Sequence, residues 1–132
     1  MVIHVEQSVS FQSDGLTLTG ILNVPEGLQA DEKRPAILVL HGFGSNKESK
    51  NCIWPARELA KLGYVTLRFD MRSCGDSEGE PNHINCLEQV EDTRNAITYV
   101  QGLKQVDPDR IGLIGTSFGA AVTVYTAGVD ER

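Results

Sequence analysis

Histidine is scarce in this chain: three occur, at positions 4, 41 and 83, and none follows. Histidine is the commonest general base in enzymes, so acid–base chemistry has few positions from which to start. Basic residues are short as well, twelve lysines and arginines against eighteen carboxylates for a net charge of −6, and they are scattered. Phosphate backbones are held by clustered Lys and Arg, so no nucleic-acid partner is expected, and the surplus acid is ascribed to solubility. No run approaches the ~20 apolar residues that cross a bilayer, and Met1-Val2-Ile3-His4-Val5-Glu6 lacks the basic and apolar regions of a signal peptide. No membrane partner and a cytoplasmic location are the expectations. Cys52, Cys74 and Cys86 form no Cys-x-x-Cys pair and cannot all pair with one another, which reads as free thiols in a reducing compartment rather than disulfides or a metal site. Internal repeats and low-complexity segments are missing too.

What is present fits one globular domain with a sizeable core. Val5, Val9 and Phe11 alternate with polar residues as far as Ser13. Asp14-Gly15 makes a turn, and Leu16, Leu18, Leu22 and Val24 continue the alternation to Pro25, which predicts an antiparallel hairpin. Glu26 to Arg34 is a polar loop. Pro35-Ala36-Ile37-Leu38-Val39-Leu40 is apolar on both faces, as a central parallel strand covered by helices requires. A helix is predicted from Cys52 to Leu62, with Pro55 in its first turns and Gly63 as its stop. Tyr64 to Phe69 is the next strand. Ile84, Leu87, Val90, Ile97, Val100 and Leu103 then place an apolar stripe on a long helix. Asp107-Pro108-Asp109 ends that segment and launches Ile111-Gly112-Leu113-Ile114. Strands alternating with helices after a hairpin predict an α/β fold, a mostly parallel twisted sheet with flanking helices.

The last strand runs into Gly115-Thr116-Ser117-Phe118-Gly119, followed by small residues suited to a tightly packed helix start. A serine at a sharp strand-to-helix turn projects its hydroxyl above the sheet, and Gly115 and Gly119 leave room for strand and helix to approach. From the pentapeptide alone Ser117 is either a nucleophile or a helix cap. Ligands of open α/β sheets bind beyond the carboxyl ends of the parallel strands. Three such ends carry the unusual residues: His41 to Ser45, Asp70 to Ser77, and Gly115 to Gly119. His41-Gly42-Phe43-Gly44 offers backbone amides beside the serine, and the amides of Phe43 and Phe118 suit an oxyanion hole, each such donor being worth about 3 kcal/mol in a transition state. Glycine-rich loops after a strand also bind phosphate, but neither Gly-x-x-x-x-Gly-Lys-Ser/Thr nor Gly-x-Gly-x-x-Gly is present.

A strand ending in His-Gly-x-Gly, an Asp-x-Arg-x-x-Gly-x-Ser loop and Gly-x-Ser-x-Gly, in that order, resemble the α/β-hydrolase superfamily, most closely its esterase and acyl-peptidase-like branches. The resemblance covers nearly the whole chain. It implies Ser117 as nucleophile, Phe43 and Phe118 as amide donors, and structural roles for His41, Gly42, Asp70, Arg72, Gly115 and Gly119 in shaping the site loops. The substrate it implies is a small-molecule or peptide acyl compound, with no metal and no organic cofactor. One departure is Ser73, where relatives commonly carry glycine.

A serine hydrolase also needs a base and an orienting carboxylate, which in this superfamily follow the serine in the order acid, then histidine. Neither is found here. His41 belongs to the oxyanion loop, His4 is remote, and His83 is the one upstream histidine able to approach the serine, although a solvated role suits it better. Asp130 and Glu131 read as a surface tail. The strand before Ser117 would also form a sheet edge that invites pairing with another chain. The expectation is therefore that residues 1–132 are a single, incomplete α/β-hydrolase domain lacking its C-terminal part. Its acid and histidine would come from sequence beyond Arg132. The alternative is a non-catalytic half-domain that folds or assembles with a partner chain. Substrate identity is not encoded in these motifs.

Overall fold

The computed structural model describes residues 2–132; Met1, the first residue of the segment read for a leader, lies outside the described residues. Strands β1 (His4–Ser13) and β2 (Leu16–Pro25) form the expected hairpin. Asp14 and Gly15 both take positive φ, 50° and 81°, the twist that a two-residue turn needs to match its strands. The hairpin is anchored near this turn, where Phe11 stacks on Tyr99 at 5.3 Å and meets Phe69 edge-on at 5.6 Å. At the other end Val5 is 46% exposed, so the alternation there does not translate into burial.

Strands β3 (Arg34–Leu40), β4 (Val65–Phe69) and β5 (Val106–Gly115) complete a five-stranded sheet in the order β1-β2-β4-β3-β5. β4 pairs antiparallel with β2 and parallel with β3, and β3 pairs parallel with β5. The hairpin is thus joined to a parallel core. A Cβ on Gly20 would come within 2.9 Å of the Arg68 carbonyl, so only glycine lets β2 approach β4 there.

Helix α1 (Lys50–Lys61) covers one face; α2 (Cys86–Gln101) and α3 (Phe118–Val129) pack together on the other. The period of two in β3 sorts the faces: Leu38 and Leu40 join the large cluster with Val90, Ile97 and Val122, while Val39 turns to Cys52 and Ala56 of α1. β4 divides likewise. Val65, Leu67 and Phe69 enter the large cluster, whereas buried Thr66 donates to the Ala56 carbonyl at 3.0 Å and buried Arg68 donates to the Lys47 carbonyl at 3.1 Å.

Three boundaries differ from the sequence reading, each for a local reason. α1 begins two residues early, after Ser49, and carries Pro55 in its interior at the cost of one backbone hydrogen bond. α2 is shorter than its apolar stripe, because Asn85 caps it by accepting from the amides of Leu87 and Glu88; Ile84 and Leu103 lie outside the helix yet still pack on the core. β5 begins at Val106 rather than after Asp109. Its register jumps from Arg34↔Val106 to Ala36↔Ile111, so Asp107-Pro108-Asp109-Arg110 bulges within the strand, and β5 is an outer strand, where proline is tolerated. Ile111, Leu113 and Ile114 are accordingly half-buried, not enclosed on both faces.

Candidate active site

Ser117 connects β5 to α3 with φ 55° and ψ −123°, a conformation that L-residues rarely adopt and that persists only where the surroundings impose it. Those surroundings are glycines. A Cβ on Gly119 would stand 2.6 Å from the carbonyl oxygens of both Leu40 and His41, and one on Gly115 would collide with the Gly119 carbonyl and lie 2.6 Å from Thr123 Oγ1. Strand, turn and helix are therefore in main-chain contact with the end of β3. Ser117 occupies the N-cap position of α3, but its side chain makes no capping hydrogen bond and the residue is exposed. Its hydroxyl is not spent on the helix.

The loop after β3 lies alongside. The place of a Cβ on Gly42 is 3.8 Å from the Ser117 Cβ and 3.8 Å from the Thr116 carbonyl. Among the described residues, neither the Phe43 amide nor the Phe118 amide donates a backbone hydrogen bond, whereas Gly119 and Ala120 next to them donate to Thr116 and Ser117 at 2.9 and 3.0 Å. Phe118 is the first residue of α3, where helical amides lack an internal acceptor and the helix dipole is positive. The Phe43 and Phe118 rings meet at 90° with centroids 5.4 Å apart.

His41 is fully buried at the base of this loop. Its Nε2 accepts from the Met71 amide at 3.1 Å, which leaves Nδ1 to carry the proton and donate to the Gly42 carbonyl at 2.7 Å. Burial pushes its pKa below the ordinary imidazole value, against the smaller opposing effects of Gly42 and Asp70. A neutral ring with both nitrogens engaged ties the ends of β3 and β4 together.

The Asp70 loop is cross-tied by charge. Buried Asp70 accepts from the Lys47 amide at 2.7 Å, from Lys47 Nζ at 2.6 Å and from the Asp76 amide at 2.9 Å. Lys47 Nζ also reaches Asp76 at 2.9 Å. Burial opposes the charge on Lys47, but its bonds to Asp70 and Asp76 outweigh that and raise its pKa above the usual lysine value. Arg72 holds fully buried Asp92 through its amide at 2.9 Å, Nε at 3.0 Å and Nη2 at 2.8 Å, and it reaches Asp14 and Glu88 at 2.7 and 3.2 Å. Asp92 also accepts from Ser13 at 2.6 Å, joining the loop to the hairpin. Ser73 takes φ 67°, where glycine would be unstrained, and its buried hydroxyl has no partner among the described residues.

The other titratable candidates point elsewhere. His4 bonds Asn23 at 3.0 Å, and His83 pairs with Glu88 at 2.7 Å on the exposed side of α2. Asp130 is not a simple surface tail: its side chain is 4% exposed, clamped by Arg132 at 2.7 Å and Arg94 at 3.3 Å, and Arg132 depresses its pKa far below the carboxylate range. The sequence reading missed Lys47 and Asp92. Lys47 sits in a polar loop that reads as solvated, and Asp92 follows Glu88 and Glu91 on a helix, where a run of carboxylates reads as a solvated face.

Comparison with known proteins extends this picture. The model of the X-Pro dipeptidyl-peptidase (S15) family matches residues 14–131. The quorum-quenching protein AidA of Acinetobacter baumannii is 34% identical over 125 residues, 94% of this chain and 40% of its own length. A thiohydrolase of Eupenicillium brefeldianum is 38% identical over 129 residues, 96% of this chain and 40% of its own. Among solved structures, the α/β hydrolase GrgF from Penicillium sp. sh18 superimposes with a TM-score of 0.87 at 32% identity, over 97% of this chain and 43% of that one. The chain spans about 40% of the length of these curated relatives.

Proposed function

Because the chain belongs to the X-Pro dipeptidyl-peptidase (S15) family, and with it to the hydrolases of α/β fold, we propose that it carries the nucleophilic half of a serine hydrolase. In this reading Ser117 Oγ attacks the carbonyl of an ester, thioester or amide, and the acyl group passes to the serine as the alcohol, thiol or amine leaves. The Phe43 and Phe118 amides receive the negative charge that develops on the carbonyl oxygen. His41, Gly42, Asp70, Arg72, Gly115 and Gly119 hold the three strand-end loops in place. The observation that carries the reading is the exposed Ser117 at φ 55°, its hydroxyl unbonded to the helix it begins, beside two unengaged amides. The thiohydrolase name of one relative supports thioesters within the substrate class.

We expect the base from outside residues 1–132: His41 is buried with both ring nitrogens engaged, His4 bonds Asn23, and no contact joins exposed His83, which pairs with Glu88, to Ser117 among the described residues. A carboxylate to orient that base belongs with it. A fluorophosphonate probe applied to the full-length protein should label Ser117 and leave the Ser117→Ala variant unlabelled. An unlabelled Ser117 in the folded protein would sink the assignment.

A second reading, assembly with a partner chain, has its own support. β5 is an outer strand, and α3 carries no charged residue yet exposes Val124, Tyr125 and Val129. A helix that is apolar all round is ordinarily covered. If residues 1–132 are stable only when this side is covered, the isolated segment should elute from a sizing column as an oligomer or aggregate. A sharp monomer peak would count against it.

A further inference from the structure

Two of the chain's four phenylalanines stand at the candidate site, and one of them contributes little to the fold. Phe43 is 66% exposed, its ring resting edge-on against Phe118, which packs on its far side against the main core. Ile84 comes from a third segment: its Cδ1 lies 3.9 Å from where a Cβ on Gly44 would be. Apolar side chains from the loop after β3, the segment before α2 and the serine turn therefore converge on one edge of the sheet. Phe43 and Phe118 each directly follow one member of the Gly42 and Ser117 pair, whose positions are 3.8 Å apart. Both residues are therefore next in the chain to the place where an acyl carbon bonded to Ser117 would sit, and their rings meet each other.

We infer that the Phe43 and Phe118 side chains bind the acyl part of the substrate and select an extended apolar acyl group, above all one ending in an aromatic ring, over acetyl. The location of the acyl carbon rests on the nucleophile reading above. The physical basis is that an aromatic ring prefers another ring edge-on or offset, and the open side of Phe43 is free to take one. Burying it also removes apolar surface from water. Donors at these positions are main-chain amides, present whatever the side chain, so selection is separable from charge stabilisation.

Binding of product-like neutral amides tests this without turnover. The 19F signals of 4-fluorophenylacetamide and trifluoroacetamide are followed while the full-length protein is titrated, in wild type and in the Phe43→Ala, Phe43→Tyr and Ser117→Ala variants. The aryl amide should bind saturably at least tenfold more tightly than trifluoroacetamide. Phe43→Ala should weaken the aryl amide about tenfold, equivalent to about 1.4 kcal/mol, and Phe43→Tyr should keep it. Ser117→Ala should retain aryl binding, which separates this inference from the nucleophile reading: probe labelling at Ser117 fails if that reading fails, aryl binding if this one does. Equal binding of the two amides, no aryl binding, or aryl affinity unchanged in Phe43→Ala would overturn it. Circular dichroism of Phe43→Ala should match wild type, because the residue is mostly exposed; if it does not, an unweakened aryl affinity in Phe43→Tyr together with preference over trifluoroacetamide decides the matter.

Discussion

The Asp70 loop, at the end of β4, and the β5–α3 side of the molecule, which carries Ser117, are held by opposite means. Around Asp70 two carboxylates are buried, and both oxygens of each are met by donors: Asp70 is held by Lys47 with exposed Asp76 beside it, and Asp92 by Arg72 and Ser13 with exposed Asp14 beside it. Along β5 and α3 the contacts are small and apolar, glycine against carbonyl and valine against core, while Val124 and Tyr125 face outward. A polar network fixes loops that have no regular structure of their own. Close main-chain packing fixes a turn that is bounded by a strand and a helix.

Substitutions should expose this difference in unequal measure. The largest effect is expected at Asp70→Asn, which leaves the Lys47 ammonium buried with only exposed Asp76 to balance it. Breaking a buried ion pair from one side typically costs about 3–5 kcal/mol, whereas Val124→Ser on the outer face of α3 should stay within about 0.5 kcal/mol. Urea unfolding of the two variants measures both, and comparable losses would erase the contrast. A smaller effect of opposite sign is expected inside the network. Ser73→Gly removes a side chain from a left-handed residue together with an unpartnered buried hydroxyl, so it should stabilise by about 1 kcal/mol. A lower urea midpoint in that variant would mean that the hydroxyl has a role unseen among its neighbours.

The regular parts of this architecture were legible because they repeat. Alternation gave the hairpin, an apolar run gave β3, and the order of strands and helices gave the parallel core; the turn residues Asp14-Gly15 and Gly115 to Gly119 mark sharp changes of direction in any sequence. What stayed hidden depends on partners distant along the chain. Lys47 is buried because Asp70 lies across from it, and Asp92 because Arg72 does; neither fact has a local trace. The bulge at Asp107 to Arg110 reads as a break, since a proline between two aspartates looks like one until β3 is seen to pair on both sides of it. Asp130 reads as a tail for the same reason: Arg94, which helps bury it, is 36 positions away.

Gly119 leaves a further mark on the molecule. A Cβ there would meet the carbonyls of Leu40 and His41, so the gap between the serine turn and the end of β3 is a main-chain spacing with no rotamer in it. Drift in the surrounding side chains can neither widen nor narrow a gap of that kind. If Ser117 is the nucleophile proposed above, descendants of this chain that take on new acyl compounds would inherit the same distance between hydroxyl and amides. Their novelty would have to be written in the residues that hang from this frame, with positions 43, 84 and 118 the first places where it could appear.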